Sequence, residues 1–216
     1  GEGVLSDTGA LVVKTGDRTG RSPNDKFIVD TPGVHEDIDW GKINVPIEQD
    51  KFDALRDKMC DYLGGKEIYI FDGFVGADPK YTKKFRVICE LASQALFAND
   101  LLIRPTAEEL ENYGEPDFTV IATPKFKADP ERDGVHSTAA VMIDYEQNMV
   151  IITGTGYSGE IKKSVFSVMN FLMPKENVLP MHCSANMDPV DKNTAVFFGL
   201  SGTGKTPLSA DPKRLL

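Results

Sequence analysis

Near its end the chain carries Gly199-Leu200-Ser201-Gly202-Thr203-Gly204-Lys205-Thr206, which matches the phosphate-binding pattern G-x-x-x-x-G-K-[ST]. In such a loop the glycines let successive backbone N–H groups turn toward a polyphosphate. A helix that begins near Gly204 adds partial positive charge at its N-terminus. The pattern therefore predicts a nucleotide site in which Lys205 contacts the β- and γ-phosphates and Thr206 coordinates Mg²⁺.

The segments on either side of this loop set it apart from an ordinary P-loop NTPase. Residues 194–198 form an apolar run that predicts a buried strand leading into the loop. Only residues 207–216 follow the loop, whereas a P-loop NTPase core needs further strands and an acidic metal ligand after it. We therefore expect the chain to be the N-terminal part of a longer protein, whose large first domain precedes the nucleotide site.

Composition and charge narrow the class of protein. The 216 residues are 41% hydrophobic, enough to bury a substantial core, and the net charge of −9 argues against nucleic acid or an anionic membrane as a partner. No apolar run reaches the length of a membrane helix, and no signal peptide is visible at Gly1. Cys60, Cys89 and Cys183 lack metal-ligand spacing, so we expect buried thiols in a reducing cytoplasm.

Apolar periodicity predicts a mixed α/β fold. We expect strands at residues 10–13, 26–29, 67–71 and 85–89, a surface excursion at 31–46, and helices at 49–63 and about 91–97. Residues 139–143 and 149–153 predict a β-hairpin. The alternation of elements is too irregular for a purely parallel sheet, so antiparallel pairs are expected as well.

A polar loop between the first two predicted strands is the first candidate site outside the P-loop. Residues 15–26 hold Arg18, Arg21 and Lys26 together with two glycines and a proline. An arginine in such a loop can bind a carboxylate with both ends of its guanidinium. The alternative, and the default for a polar loop, is a solvated turn.

The second candidate is Gly156-Tyr157-Ser158-Gly159-Glu160-Ile161-Lys162-Lys163, which follows a predicted strand and opens a helix. The apolar stripe of that helix consists of Ile161, Val165, Val168, Met169 and Leu172. Lys163 projects almost opposite the stripe, which indicates a surface lysine. Because strand-to-helix turns of α/β proteins are common ligand sites, the alternative is that Tyr157 and Lys163 line a cleft.

The third candidate is His182, within Met181-His182-Cys183-Ser184-Ala185-Asn186. A lone histidine among apolar neighbours is usually a hydrogen-bonded packing residue. As a metal ligand it would need at least two partners, and a lysine could be one of them only if the cation held it neutral.

Taken in order, the motifs T-G-R-S-P-x-D-K, Y-x-G-E-I-K-K-S, M-H-C-S-A-N and G-L-S-G-T-G-K-T resemble those of ATP-dependent phosphoenolpyruvate carboxykinases. The likeness extends from the first strand to the last residue. It implies a carboxykinase-like N-terminal substrate-binding domain with a mixed parallel and antiparallel sheet over residues 1–190. Residues 191–216 would then begin a nucleotide-binding P-loop domain that the chain does not complete.

The resemblance also implies an activity: a lyase of gluconeogenesis that converts oxaloacetate and ATP to phosphoenolpyruvate, ADP and CO₂. Arg21 would bind the substrate carboxylate or the departing CO₂, Tyr157 would lie beside the substrate, and Ser201 would face it. Lys163 and His182 would be ligands of Mn²⁺, and Thr206 a ligand of Mg²⁺. The nucleotide phosphates would lie against Gly202, Thr203, Gly204, Lys205 and Thr206.

Two departures from the family pattern limit this expectation. Pro207 replaces a second threonine after G-K-T, which removes a backbone N–H and a hydroxyl from the first turn of the helix. The family's aspartate metal ligand, second substrate arginine and adenine pocket would lie beyond residue 216, so we expect the chain itself to be inactive. The remaining alternatives are another P-loop kinase or ATPase and a non-catalytic binding module.

Overall fold

The computed structural model describes residues 2–200 and 202–215 and shows a mixed α/β fold. Its strands are β1 (Gly3–Leu5), β2 (Leu11–Val13), β3 (Lys26–Val29), β4 (Val45–Ile47), β5 (Tyr69–Val75), β6 (Lys83–Cys89), β7 (Phe118–Thr123), β8 (Ala140–Asp144), β9 (Met149–Thr153), β10 (Ser184–Met187) and β11 (Thr194–Phe197). Its α-helices are α1 (Gln49–Leu63), α2 (Ala92–Leu101), α3 (Ala107–Glu111), α4 (Pro130–Asp133), α5 (Gly159–Lys175) and α6 (Lys205–Ser209).

Seven strands form the main sheet, in the order β4-β3-β8-β9-β7-β6-β5. β3 pairs in parallel with β4 and β8, and β7 pairs in parallel with β6 and β9. The pairs β8–β9 and β5–β6 are antiparallel, so the predicted mixed sheet is confirmed. The strand pairs β1–β2 and β10–β11 form separate two-stranded sheets.

The core lies on the two faces of the central strands. Every residue of β8 is buried, as expected for a strand covered on both sides. On one face, Phe52, Leu55 and Met59 of α1 belong to the same apolar cluster as Phe27 and Met142 of the sheet. The side of the sheet that carries Ile28 and Val141 borders α5, whose Ile161, Val165 and Val168 are buried.

Several elements follow the sequence prediction closely. Helix α1 covers the predicted residues 49–63, because its apolar residues recur every three to four positions and Gly64 follows the last turn. The β8–β9 hairpin lies within one residue of its predicted bounds. Helix α6 begins at Lys205 with Gly204 as its N-cap, as the phosphate-loop pattern predicts.

Other expectations are corrected by the structure. The run at 194–198 is a strand for most of its length, but it is not buried: Val196 is 41% and Phe198 66% exposed. The reason is that β11 pairs only with β10 in the part of the chain that the structure describes, so its side chains are not covered as in a central strand. Strand β7, which is almost wholly buried, was not predicted from the sequence.

The cysteines and the predicted surface excursion need smaller corrections. Cys89 is a buried thiol whose pKa burial raises to about 12, whereas Cys60 is exposed and Cys183 is half-buried. The segment at 31–46 is not wholly a surface excursion, since Thr31 and Val34 are buried and β4 begins at Val45.

The contacts divide the chain into two compact units, residues 1–171 and 172–216. The first contains the main sheet, and the second contains β10, β11 and α6. The functional domain boundary near residue 190 stays a prediction. Within residues 2–200 and 202–215, no helix combines the length and the apolar character that a membrane crossing requires.

Gly154, directly after β9, carries a specific steric constraint. Its φ of 70° is unfavourable for other residues, and a Cβ there would collide with the Thr138 carbonyl oxygen and lie 2.8 Å from Ala139 Cα. We expect Gly154→Ala to lower the free energy of unfolding by about 3 kcal/mol or more, since backbone atoms must move. Urea unfolding measures this change.

Gly134→Ala is the matched control, because Gly134 has the same φ of 70° but its added Cβ would meet only Lys51 side-chain atoms at 3.9 Å. Its free energy of unfolding should fall by about 1 kcal/mol, because only the unfavourable φ contributes there. Equal losses in the two variants would contradict the steric argument.

Candidate functional site

The motifs meet where the central strands of the main sheet begin or end, along the edge of the sheet that runs across the strand ends. β3 and β8 are parallel and both begin at this edge, while β9 and β7 both end there. The loops before β3 and β8 and after β7 and β9 must therefore meet. A cavity of about 480 Å³ lies among them, lined by residues that include Gly16, Arg18, Lys127, Thr138, Gly154 and Gly156.

Within the loop before β3, Arg18 is a structural residue. Its guanidinium donates hydrogen bonds to Ser22 Oγ (2.8 Å), to the buried Asp25 carboxylate (3.0 Å) and to Ser137 Oγ (2.6 Å). Ser137 also donates to Asp25 at 2.8 Å. This network ties the loop to the segment that leads into β8, so the backbone of the loop is held in place from inside.

Arg21, three residues further on, is placed differently. It is exposed, and within residues 2–200 and 202–215 its guanidinium makes no hydrogen bond or ion pair. It lines a small cleft between the loop and the first three turns of α5, together with Lys26, Glu160, Lys163, Ser164 and Ser167. Of the two arginines, Arg21 is therefore the one available to an anionic ligand.

The cleft concentrates positive charge. Arg21, Lys26 and Lys163 line it, and Glu160 is the one carboxylate among its lining residues in the described chain. Burial, and secondly the positive charge of Arg21, lowers the pKa of Lys26, whereas Glu160 acts to raise it. Lys26 Nζ donates to Ser167 Oγ at 3.1 Å. A local cluster of this kind can attract an anion even though the chain as a whole is acidic.

Lys163 is half-buried, which differs from the fully exposed lysine that its position on α5 indicates by default. Its ammonium lies 5.0 Å from the centroid of the Phe166 ring. Next to it, the Ser164 hydroxyl is buried and has no hydrogen-bond partner within the described residues. The structure thus brings Arg21 and Lys163 to one cleft, although they are far apart in sequence.

Tyr157 lies in the turn between β9 and α5 and is partly buried. Its ring packs against the Gly159 backbone, where an added Cβ would come 3.0 Å from the phenolic oxygen. Its backbone N–H donates to Thr155 Oγ1 at 3.2 Å. The side chain is therefore held at the start of α5, the helix that also carries Lys163.

In the second unit, the phosphate loop has a curved backbone. Gly202 and Gly204 have φ of 80° and 85°, which glycine adopts without strain. The Lys205 ammonium donates to the carbonyl oxygens of Gly199 and Leu200, both at 2.7 Å, so it is bound to the backbone of its own loop. Contact of Lys205 with nucleotide phosphates stays a prediction of the sequence pattern.

The other predicted residues of this unit are placed as follows. Thr203 Oγ1 donates to Leu200 O at 2.8 Å, and Thr206 is exposed in the first turn of α6. His182 is exposed just before β10 rather than packed among apolar side chains. Ser201 lies outside the described residues.

Comparison with known proteins gives the chain its family. The family model for phosphoenolpyruvate carboxykinase matches residues 1–216. The chain belongs to the phosphoenolpyruvate carboxykinase family. It is 62% identical over 215 residues to a "phosphoenolpyruvate carboxykinase (ATP)" of Fusobacterium nucleatum, and 58% identical over 215 residues to one of Caldanaerobacter subterraneus. Each match covers 100% of the chain but only 41% of the relative's length.

Membership in the carboxykinase family confirms the resemblance inferred from the four motifs. It does not test the roles of individual residues, which stay predictions. Sequence reasoning missed Glu160 and Ser164, although both lie inside the quoted motif Y-x-G-E-I-K-K-S. The available signal was the acidic residue in the first turn of a helix, a feature too common to single out a site.

The contrast between the two arginines gives a stability prediction. Arg18→Met should lower the free energy of unfolding by about 2 kcal/mol, because it leaves the buried Asp25 carboxylate with fewer donors. Arg21→Met should change it by no more than about 0.5 kcal/mol, as is usual for exposed side chains. Urea denaturation of both variants measures the difference. Equal destabilisation would show that Arg21 also holds the loop together.

Proposed function

We propose that this chain supplies the substrate cleft and the phosphate loop of an ATP-dependent phosphoenolpyruvate carboxykinase, which forms phosphoenolpyruvate, ADP and CO₂ from oxaloacetate and ATP. The observation that supports this most directly is the convergence of Arg21 and Lys163 on one cationic cleft. Because the chain spans 41% of the length of its curated relatives, the activity belongs to a longer protein. We propose a cytoplasmic location and a domain boundary near residue 190.

In this proposal Arg21 binds the carboxylate of oxaloacetate or the CO₂ that leaves it. The guanidinium stabilises negative charge without giving up a proton, and its fork geometry orients a planar group. Tyr157 packs beside the substrate. Ser201, which lies outside the described residues, is a further proposed substrate contact.

The phosphate loop holds ATP. Lys205 contacts the β- and γ-phosphates, and the backbone N–H groups of residues 202–206 point at phosphate oxygens. The γ-phosphoryl group passes to the enolate oxygen formed by decarboxylation. Both groups carry negative charge in the transition state, so fixed positive charge on both sides lowers the barrier.

Lys163, His182 and Thr206 would provide donors for the proposed Mn²⁺ and Mg²⁺ ions. An imidazole and a neutral lysine amine each have a lone pair for a transition-metal ion, and a threonine hydroxyl is an oxygen donor of the kind that Mg²⁺ takes. When bound, such ions supply Lewis-acid stabilisation of the enolate and phosphoryl oxygens. Lys163 contributes only as the free amine, since an ammonium has no lone pair to donate.

A chimaera tests the proposed activity. Residues 1–216 replace the matching segment of the Fusobacterium nucleatum relative, and formation of phosphoenolpyruvate from oxaloacetate and ATP is measured. We expect activity in the chimaera and none in the 216-residue chain alone. Phosphorylation of a different acceptor would favour another P-loop kinase, and ligand binding without turnover would favour a binding module.

Arg21→Met in the active chimaera separates the substrate site from the nucleotide site. It should raise KM for oxaloacetate at least tenfold (~1.4 kcal/mol of lost binding) and leave KM for ATP within about threefold, because the guanidinium acts on the carboxylate alone. Arg104→Met, which changes an exposed arginine 4.0 Å from Asp100, is the control and should change neither constant. Parallel increases in both KM values would contradict the assignment of Arg21.

Pro207 lies in the first turn of α6, where it lacks the backbone N–H available to a phosphate. Pro207→Thr should therefore strengthen ATP binding by about 1 kcal/mol, the contribution of roughly one hydrogen bond. Calorimetric titration of the chimaera with ATP measures it. Pro212→Thr, at an exposed proline beyond α6, should leave the affinity unchanged. Equal affinities of the chimaera and Pro207→Thr would refute the prediction.

A further inference from the structure

Glu160 is a buried carboxylate that lines the cationic cleft. It lies in the first turn of α5, is only 4% exposed, and shares the cleft with Arg21, Lys26 and Lys163. Its Oε1 accepts a hydrogen bond at 2.5 Å from the backbone N–H of Ser22, in the loop before β3. The two residues are far apart in sequence, so this bond joins α5 to the loop that carries Arg21.

The backbone next to Arg21 has little freedom once this bond has formed. Ser22 is buried and is held from two sides, by Glu160 at its N–H and by Arg18 at its hydroxyl. Pro23 follows, which restricts φ at its own position and disfavours helical geometry at Ser22. The Arg21 side chain therefore extends from a fixed backbone. Only its own torsion angles then determine where the guanidinium lies.

Charge gives a second reason for a carboxylate at this position. As long as no metal ion holds Lys163 as the free amine, Arg21, Lys26 and Lys163 are three cations that line one cleft and repel one another. The buried carboxylate of Glu160 offsets part of that repulsion. Glu160 also benefits from its place in the first turn of a helix, where the helix dipole favours negative charge. The position therefore suits an acidic side chain as the acceptor for the Ser22 N–H.

We infer that Glu160 is a positioning residue: its hydrogen bond to the Ser22 backbone holds Arg21 in the cleft that Lys163 also lines, in the geometry that binds a carboxylate. This role rests on the proposed function, because Arg21 must be the group that binds the substrate. In this role Glu160 acts through the Ser22 backbone and not by contact with the substrate. Its effect should appear in the binding of the carboxylate substrate and leave that of ATP unchanged.

The test compares Glu160→Ala with Glu160→Gln in the chimaera. Alanine removes the acceptor, whereas glutamine keeps an oxygen for the Ser22 N–H and removes only the charge. We expect Glu160→Ala to raise KM for oxaloacetate at least tenfold with KM for ATP within about threefold, and Glu160→Gln to stay within about threefold in both. Rescue by glutamine would identify the hydrogen bond as the source of the effect.

Asp133→Ala is the matched control for a general loss of stability. Asp133 is also a buried carboxylate (3% exposed) that accepts a backbone hydrogen bond, from Asp129 N–H at 2.8 Å, but it pairs with Lys58 away from the cleft. The variant should unfold more easily and keep both KM values. If it raised KM for oxaloacetate as much as Glu160→Ala, the positioning role would be overturned.

Hydrogen–deuterium exchange at the Ser22 amide supplies a readout that does not depend on activity. Exchange should be slow in the unmodified chain and in Glu160→Gln, and at least tenfold faster in Glu160→Ala. Unchanged exchange in Glu160→Ala, or equal KM effects of alanine and glutamine, would overturn the inference. A chimaera that makes no phosphoenolpyruvate but shows this exchange pattern would refute the proposed function and leave the Ser22 anchor established.

Discussion

The parallel pairing of β3 with β8 is the constraint on which the arrangement of the site depends. It fixes the start of β3, and with it the arginine loop, beside the segment that enters β8. Because β9 returns antiparallel to β8, the turn that opens α5 comes to the same edge of the sheet. Two motifs remote in sequence thus meet through backbone pairing alone, before any side chain contributes.

In the first unit, the two arginines of the loop have different roles: one holds the loop together and the other is available to a ligand. Arg18 is surrounded by acceptors from Ser22, Asp25 and Ser137, so its charge is used inside the protein. Arg21 has no such partner within the described residues and faces the cleft. A cationic cleft in a chain of net charge −9 requires support of this kind, since loosely held cations would instead pair with nearby acidic groups.

Local patterns predicted the elements whose structure depends on local forces. The stripe of α1 and the β8–β9 hairpin arise from short-range periodicity and turn formation, and both match the structure within one residue. Burial at 194–198 was predicted wrongly. Apolar composition shows that burying a strand would be favourable, but it does not show whether other strands or helices pack over it. Cys60 was also predicted to be buried and is exposed, because its burial depends on which face of α1 packs against the sheet.

The site itself could be predicted only in part, and the limit has a physical origin. The motifs identified Arg21 and Lys163 as residues, but their convergence depends on strand order, which no local pattern contains. Glu160 was missed for a related reason: its function lies in a bond to a backbone N–H, and any residue type at position 22 except proline offers that group. A contact of this kind leaves no trace in the identity of the donor residue. It becomes visible only when the fold shows which backbone groups are buried and which acceptor reaches them.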